Sequence, residues 1–524
     1  VDDSKLRELI ALIPPERRSE FLGEPSRPQE HLDDPHRLSR IYLEKECSHP
    51  DGPTLRYRDG MPYLWDGVAY REVSNESIDD GLTRSIKQEF DEISMTTKSV
   101  ARKVTRSLVG NVRGALRSVI GVRGESPCWI GDSPCDPRNV LAAPNGLFQL
   151  PTLERVGNPT PRYFSTFALD YDIDPDAPPP ETFLRFLDEV LDPECIRTLQ
   201  EWFGYCLIPW TSLQKILALI GATRSGKGTV GRVLRGVIGK QNVAGPTLAG
   251  LKERFGLEPL IDKHLAIIAD ARLRGQADVV IERLLSISGE DMLTADRKNK
   301  LAVNLKLDTR LMLMSNELPK FDDASAALAN RFIILPMTKS FLGREDSTLT
   351  DRCLAERPGI LLWALEGLKR LQERGRFVQP ESGRVMVEDL KDLGSTIHAF
   401  VREAWRDGRT QAEQYAAYLE WCTQTGRRHP DSPSTFWRNL LAAYSDKARG
   451  NDGALLAAWS KLGEMTAKKA SESGDSELAV ALGGRMDPDY VGSRLRSLVD
   501  KPIGNQVLRK RTLKGNTVWK VVAA

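Results

Sequence analysis

The chain has 524 residues, too many for one ordinary domain, so three or four are expected. Hydrophobic residues make up 40% and charged residues 28%, the balance of a water-soluble globular protein, and no apolar run approaches the roughly 20 residues of a membrane span. Lys and Arg total 74 against 72 Asp and Glu, so any nucleic-acid binding must come from local patches rather than from the chain as a whole.

No charged-then-apolar segment opens the chain, which argues against secretion. The seven cysteines are scattered, and an odd count without tight pairs points to a reducing cytoplasm. Cys128 and Cys135 are the nearest pair, but no His or further Cys completes a zinc spacing around them. The first residue is valine rather than methionine, which suggests a fragment or a processed chain.

Residues 1 to about 50 are polar and broken by prolines, with one short amphipathic helix expected near Leu6 to Leu12. Leu55 to Val73 reads as a small β-meander, because aromatic residues alternate between Asp-Gly turns. From Lys98 to Arg123 seven positive residues occur without an acid: Lys98, Arg102, Lys103, Arg106, Arg113, Arg117 and Arg123. Apolar residues recur there every four positions, predicting one or two amphipathic helices with a basic outer face, either a solvated surface or a contact for nucleic acid or another subunit. Asn145 to Leu150 reads as a strand entering the next module, and Asp174 to Pro180 as a boundary. Thr182 to Ile208 is expected to be helical, with Phe183, Phe186, Leu187, Trp202 and Phe203 as core.

The apolar run Ile216 to Ile220 then turns into Gly221-Ala222-Thr223-Arg224-Ser225-Gly226-Lys227-Gly228-Thr229. Strand, Gly-bounded loop and helix form a phosphate cradle: glycines admit backbone N–H groups to phosphate oxygens, Lys227 supplies charge, and the helix N-terminus adds its dipole. The strict pattern has Ser or Thr directly after the lysine, whereas here Gly228 intervenes before Thr229, a variant also found in P-loop kinases. His264 to Asp270 is a second apolar strand ending in a carboxylate suited to Mg2+. Leu311 to Asn316 is a third, ending in an amide placed to orient an attacking water, and Arg331 precedes a fourth, Phe332 to Pro336. Lysine loop, acid, amide and arginine, each at a strand edge, describe a nucleoside triphosphatase that uses ATP and Mg2+.

Beyond this module a helical tail runs from Leu349 to Arg374, and Val378 to Val387 reads as a linker. Asp392 to Trp421 holds two helices, and Ser434 to Tyr444 continues them. A polar stretch separates Asp446 from Asp487, followed by a helix from Tyr490 to Val499 and a hairpin over Val507 to Val521. That hairpin crowds Arg509, Lys510, Arg511, Lys514 and Lys520 on a two-stranded ribbon, the chemistry of a basic wing along a phosphate backbone.

The order Gly221 to Thr229, Asp270, Glu282 to Lys298, Asn316 to Pro319 and Arg331 resembles the superfamily 3 helicases, specifically the phage/plasmid primase–helicase family with its poxvirus relatives. Similarity extends upstream through Leu199 to Tyr205 and downstream through Pro358 to Gly367. The resemblance implies an α/β fold: a P-loop, AAA+-like (superfamily 3) motor with a helical collar, a mixed α+β N-terminal region and a C-terminal winged-helix domain. The expected division is 1–145 for the N-terminal region with its basic helix, 146–212 for the collar, 213–345 for the motor, 346–385 for the tail and linker, and 386–524 for the winged-helix-like region.

It further implies a homohexameric, ATP-driven DNA helicase in the cytoplasm of a bacterial or phage-infected cell, with a primase or polymerase as partner or upstream domain. Lys227 would contact the β- and γ-phosphates, Thr229 and Asp270 would hold Mg2+, Asn316 would orient water, and Arg331 would act on the neighbouring subunit's nucleotide. Arg297, Lys298 and Lys300 would form a channel hairpin gripping single-stranded DNA. Family members often carry two adjacent acids where this chain has Ala269-Asp270, so either one carboxylate serves both metal and attacking water, or Glu282 or Glu290 assists, and the general base is left open. Two other readings remain open from the sequence: a P-loop phosphotransferase, and a DNA-loading or packaging ATPase that does not unwind.

Overall fold

A computed structural model describes residues 30–269, 277–319, 327–406, 410–427, 430–437, 439–440, 443, 495, 502–503, 506–513 and 516–523. The chain is mixed α/β and divides into two compact units, Val1–Gln149 with Glu154–Asp172, and Leu150–Leu153 with Ile173–Ala524. No helix among the described residues is long and apolar enough to cross a membrane.

In the first unit α1 (Pro35–Glu46) starts on Asp34, whose carboxylate accepts from the amides of His36 and Arg37 at 2.8 and 2.9 Å. A meander follows, β1 (Leu55–Arg58), β2 (Met61–Trp65) and β3 (Tyr70–Glu72), turned between its first strands by Asp59 and Gly60, both at positive φ. Helices α2 (Asn75–Thr97) and α3 (Arg106–Val119) pack on α1 and β1 through Leu38, Leu82, Ile86, Phe90, Val112 and Leu116. Only α3 forms within the basic stretch from 98 to 123, and Arg102 and Arg113 are paired with Asp33 and Asp79, while Arg117 lies over the Tyr57 ring. The basic face is therefore thinner than the bare count of cations suggests.

Strands β4 (Cys128–Trp129), β5 (Val140–Ala143), β6 (Gly146–Gln149), β7 (Glu154–Gly157) and β8 (Tyr163–Phe164) complete this unit. Gly146–Gln149 does not lead into the parallel sheet; it pairs antiparallel with β5 and β7 inside the first unit. The boundary accordingly falls near residue 172 rather than 145, at the proline-rich stretch.

The second unit begins with α4 (Glu181–Val190) and α5 (Pro193–Tyr205), one expected helix divided at Asp192, which caps the second piece. The central sheet then alternates with helices: β9 (Ile216–Gly221), α6 (Lys227–Val237), β10 (Val243–Ala244), α7 (Leu248–Leu251), β11 (Leu265–Ala269), α8 (Ala277–Gly289), the antiparallel hairpin β12 (Met292–Arg297) and β13 (Lys300–Lys306), β14 (Arg310–Ser315) and β15 (Phe332–Met337). Five strands are parallel in the order β10-β11-β14-β9-β15. They read as continuous apolar runs because helices cover both faces. Ile216, Ala218, Ile220, Leu311, Leu313 and Ile334 share one buried cluster with Ile281, Leu284 and Ile287 of α8.

Helices α9 (Leu349–Ala355), α10 (Arg357–Arg374) and α11 (Glu381–Gly394) return over the sheet. Collar and tail are one layer: a Cβ on Gly367 of α10 would stand 2.5 Å from the Gln200 backbone of α5, and one on Gly204 would stand 2.4 Å from the Ala364 carbonyl. Glu201, nearly fully buried, accepts from Arg370 at 2.8 Å and is paired with Arg374 across the same contact. Residues 378–387 are not a free linker. The Gln379 amide pairs with both backbone groups of Ile334 at 3.1 and 2.8 Å, closing the outer edge of β15, and α11 docks from Glu381 onward.

Helices α12 (Thr396–Glu403) and α13 (Gln411–Gln424) enclose an aromatic cluster of Phe400, Tyr418, Trp421 and Phe436. Strands β16 (Pro502–Ile503), β17 (Gln506–Leu513) and β18 (Asn516–Ala523) form an antiparallel sheet with Arg509 opposite Lys520. The helices expected at Leu6–Leu12 and Tyr490–Val499 and the polar stretch 446–487 lie outside the described residues, Leu495 apart.

The tight α5–α10 packing makes a prediction. Gly367→Ala should cost on the order of 2 kcal/mol by overpacking and lower the melting temperature of the full chain by several degrees. Gly114→Ala on α3, where a Cβ meets nothing within 4 Å, should leave it unchanged or raise it slightly in the same calorimetric scan.

Candidate functional site

β9 delivers the glycine loop to the carboxyl edge of the sheet, where open α/β sheets bind ligands. A Cβ on Gly221 would stand 2.1 Å from the Met337 carbonyl, so only glycine lets the chain leave β9 here. Arg224 (φ 61°) and Gly226 (φ 95°) turn the loop in left-handed conformation, and α6 starts at Lys227 without a side-chain cap. Lys227 Nζ donates to the carbonyls of Gly221 and Ala222 at 2.6 and 2.8 Å and to Ser225 Oγ at 3.1 Å. Burial holds its pKa below the usual lysine range.

Thr223 ties three segments together. Its carbonyl accepts from Ser340 Oγ at 2.8 Å, and its hydroxyl lies 3.5 Å from Asn316 Nδ2. The Arg224 carbonyl accepts from the Phe341 amide at 2.9 Å, and its guanidinium is 3.3 Å from Glu345. Between the loop, α4, Asn316 and residues 341–352 lies a cleft of about 980 Å3. Phe186 of α4 forms part of its wall, with its ring edge 3.0 Å from where a Cβ on Gly226 would be. Glu356 holds α4 in place by accepting from the amides of Thr182 and Phe183, both at 3.0 Å.

The cradle residues Gly221 to Thr229 and Asn316 therefore share one edge. Asp270 lies outside the described residues, but β11 ends at Ala269 in register with Met314, so β11, β14 and β9 all stop on that edge. No group of three or more His, Cys, Asp or Glu suited to a metal occurs among the described residues. The Thr229 hydroxyl is one hard oxygen donor in the cradle, a donor set that fits Mg2+ held mainly by phosphate oxygens and water.

Arg331 sits on the opposite edge. Phe332 is in register with Ile216 and Met337 with Gly221, so six strand rises of about 3.3 Å place Arg331 roughly 20 Å from its own cradle. Its guanidinium lies over Gly289, and Nη1 is buried without a hydrogen-bond partner among the described residues. Lys215 is beside it, donating to the Asn330 carbonyl at 2.7 Å; burial first, and then the Arg331 charge, hold its pKa below the usual range.

Glu290 belongs to this far edge too. Burial opposes its ionisation, yet the Thr211 hydroxyl at 2.7 Å and the Lys306 ammonium at 3.3 Å hold its carboxyl below the usual range. Glu290 therefore does not assist the cradle of its own chain.

The hairpin β12–β13 turns at Lys298 and Asn299, and Lys298 and Lys300 are exposed at its tip. Arg297 is a correction: its side chain is 4% exposed and faces Glu258, which also accepts from the Lys298 amide at 3.1 Å, so it supports the hairpin from within. Arg509, Lys510 and Arg511 lie on β17, whereas Lys514 falls outside the described residues. Sequence reasoning passed over Arg185, Arg232, Arg344 and Thr350, all of which line the cleft. One cue was available for Arg232, the glycine at 228 where the strict pattern has a hydroxyl.

A family model described only as a family of unknown function, DUF5906, matches residues 219–331, from within β9 to Arg331. No curated protein matches the chain. Among solved structures, the apo C-terminal region of NrS-1 (305–718) aligns with a TM-score of 0.46 and 14% identity, covering 95% of this chain and 100% of that one. The A-form apo structure of the same region aligns with a TM-score of 0.44 and 13% identity, covering 94% and 100%.

Arg297→Ala should destabilise the chain by about 0.5–3 kcal/mol, because it empties the space of a long side chain that is only 4% exposed. Lys298→Ala at the exposed tip should fall within about 0.5 kcal/mol of wild type. Thermal denaturation of the two variants side by side checks the distinction.

Proposed function

We propose that the chain is an ATP-driven DNA motor of the superfamily 3 kind, a ring helicase acting in phage- or plasmid-type replication. In this reading the parallel sheet is an AAA+-like P-loop core and the basic β17–β18 ribbon is the wing of a winged-helix region. The observation that carries it is the split between the two sheet edges. A lysine cradle and an amide share one edge, while the arginine stands about 20 Å away on the other, beyond reach of its own nucleotide.

ATP is the substrate, and its hydrolysis needs positioning and charge neutralisation more than covalent chemistry. Lys227 and the first amides of α6 would bind the phosphates, and Thr229 with Asp270 would hold Mg2+, which supplies charge neutralisation when bound. Asn316 would orient water, and Arg331 would serve the adjacent subunit of a hexamer. Lys298 and Lys300 would grip the single strand without sequence preference. A phosphotransferase would give Arg331 no task.

Lys227→Ala should reduce ATP turnover by more than tenfold with the fold intact, because Lys227 is half-buried at the first position of α6 and its hydrogen bonds are all to the adjoining loop. Arg331→Ala should bind ATP normally but hydrolyse it hundreds-fold more slowly, on the order of measured arginine-finger effects. Mixed rings of the two variants should recover part of the turnover, since some interfaces then join an intact Lys227 to an intact Arg331. Mixtures as inactive as either parent, although mixed rings form, would sink the trans reading. Independently, Lys298→Ala with Lys300→Ala should lower the salt dependence of single-strand affinity by about 0.7 log unit per log salt for each phosphate no longer neutralised.

A further inference from the structure

The structure assigns Arg232 as a second phosphate-binding cation of the cradle, acting within its own chain and admitted by the glycine at 228; this rests on the nucleotide reading above. Arg232 stands on α6 five residues beyond Lys227 and folds back over the first turn of the helix. Its Nη2 donates to Thr229 Oγ1 at 3.2 Å, and its Nε donates to Thr350 Oγ1 at 3.2 Å. Its Nη1 lies 3.1 Å from where a Cβ on Gly228 would be. The guanidinium thus occupies the space that a Ser or Thr side chain fills in the strict lysine-loop pattern.

Three physical points make this arrangement purposeful. A glycine in the first turn of a helix costs about 1 kcal/mol relative to alanine, and what Gly228 returns for it is room for the guanidinium. A cation at a helix N-terminus is opposed by the helix dipole, which favours anions there. Finally, Arg232 has two hydroxyl acceptors but no carboxylate partner among the described residues; Asp346, also at the cleft, is engaged by Thr348 and Arg352. Two positive side chains, Lys227 and Arg232, therefore converge on one open helix terminus, and among the described residues neither is ion-paired, although Glu189, Glu345 and Asp346 line the same cleft. The ligand that satisfies them is an oligophosphate. The Arg232 fork suits two phosphate oxygens; because Nη2 now donates to the Thr229 hydroxyl, Mg2+ binding there would displace it, so Arg232 and Mg2+ are alternative cations at this point of the cradle.

The consequence is that part of the nucleotide affinity is independent of metal. The test is equilibrium binding of a fluorescent ATP analogue to the full chain, in Mg2+ and in EDTA. Arg232→Ala should weaken binding about ten- to a hundredfold in EDTA, the span of one charge-assisted hydrogen bond, and less in Mg2+. Arg232→Lys should fall between, keeping charge but losing the fork. Gly228→Ala should share the defect, so that adding it to Arg232→Ala costs little more. Arg235→Ala, further along the same helix, should bind as wild type. If Arg232→Ala binds like wild type in EDTA while Lys227→Ala loses binding, the Arg232 assignment is overturned and the nucleotide site stands. If the wild-type chain binds no nucleotide under either condition, the functional reading fails and the assignment with it.

Discussion

The position of β9 between β14 and β15 is the constraint on which the rest of the second unit depends. Parallel pairing on both sides fixes its direction and register at once, from Ile216 beside Phe332 to Gly221 beside Met337. A one-residue slip would exchange the side chains packed on the two helical layers and bring Ile220 in place of Gly221 against the Met337 carbonyl, where a Cβ would stand at 2.1 Å, so the register is strongly held. The glycine loop then must leave from the middle of the carboxyl edge, with Asn316 following the neighbouring strand onto the same side. The same register drives Lys215 and Arg331 to the amino edge. One pairing pattern thus puts the glycine loop on one edge of the sheet and Lys215 with Arg331 on the other.

The helices around that sheet are tied to it by buried polar groups rather than by apolar packing alone. Arg310 is the clearest case. Only 2% exposed, it opens β14 and reaches the Trp210 carbonyl at 2.7 Å and the carbonyls of Ile208 and His264, with its guanidinium over the Tyr205 ring at 4.6 Å. It therefore joins the end of α5 to two strands of the sheet. Glu356, by capping α4, and Glu201, by pairing with α10, add two further ties. Removing one partner of such a group strands the other in a low-dielectric setting, so these contacts hold the collar helices in one place over the cleft. α4 can then present Arg185 and Phe186 to the loop as fixed walls.

What the sequence made legible follows the range of each signal. Strand, loop and helix at 216–237 were readable because the glycines and the apolar run act over a few residues. The Asp-Gly meander was readable for the same reason. Pairing across distance was not. Nothing in Gln379 says that its side chain seals a strand edge 45 residues away, whereas the β5–β6 hairpin, turned at Asn145 just before Gly146, is a local pairing whose turn signal the strand reading passed over. Charge misled where partners are remote: Arg297 reads as one of several basic residues at a turn, yet Glu258 draws it inward. Arg232 was overlooked because its role depends on what Gly228 lacks.

The far edge carries an energetic argument of its own. Lys215 and Arg331 are adjacent like charges, partly withdrawn from water, and Arg331 Nη1 meets no acceptor among the described residues. An unmet buried donor costs about 1–3 kcal/mol, and more when it is charged. Folds keep such costs chiefly at functional positions, where an outside group relieves them. An arginine serving only its own fold would gain from an acid nearby, and Glu290 is close at hand; it is spent instead on Thr211 and Lys306. The Asp291 carboxylate also reaches the Gly289 surface over which the Arg331 guanidinium lies, but among the described residues no ion pair joins the two. In the trans arrangement proposed above, a neighbouring subunit's phosphates would be the outside group that gives Arg331 Nη1 its missing acceptor.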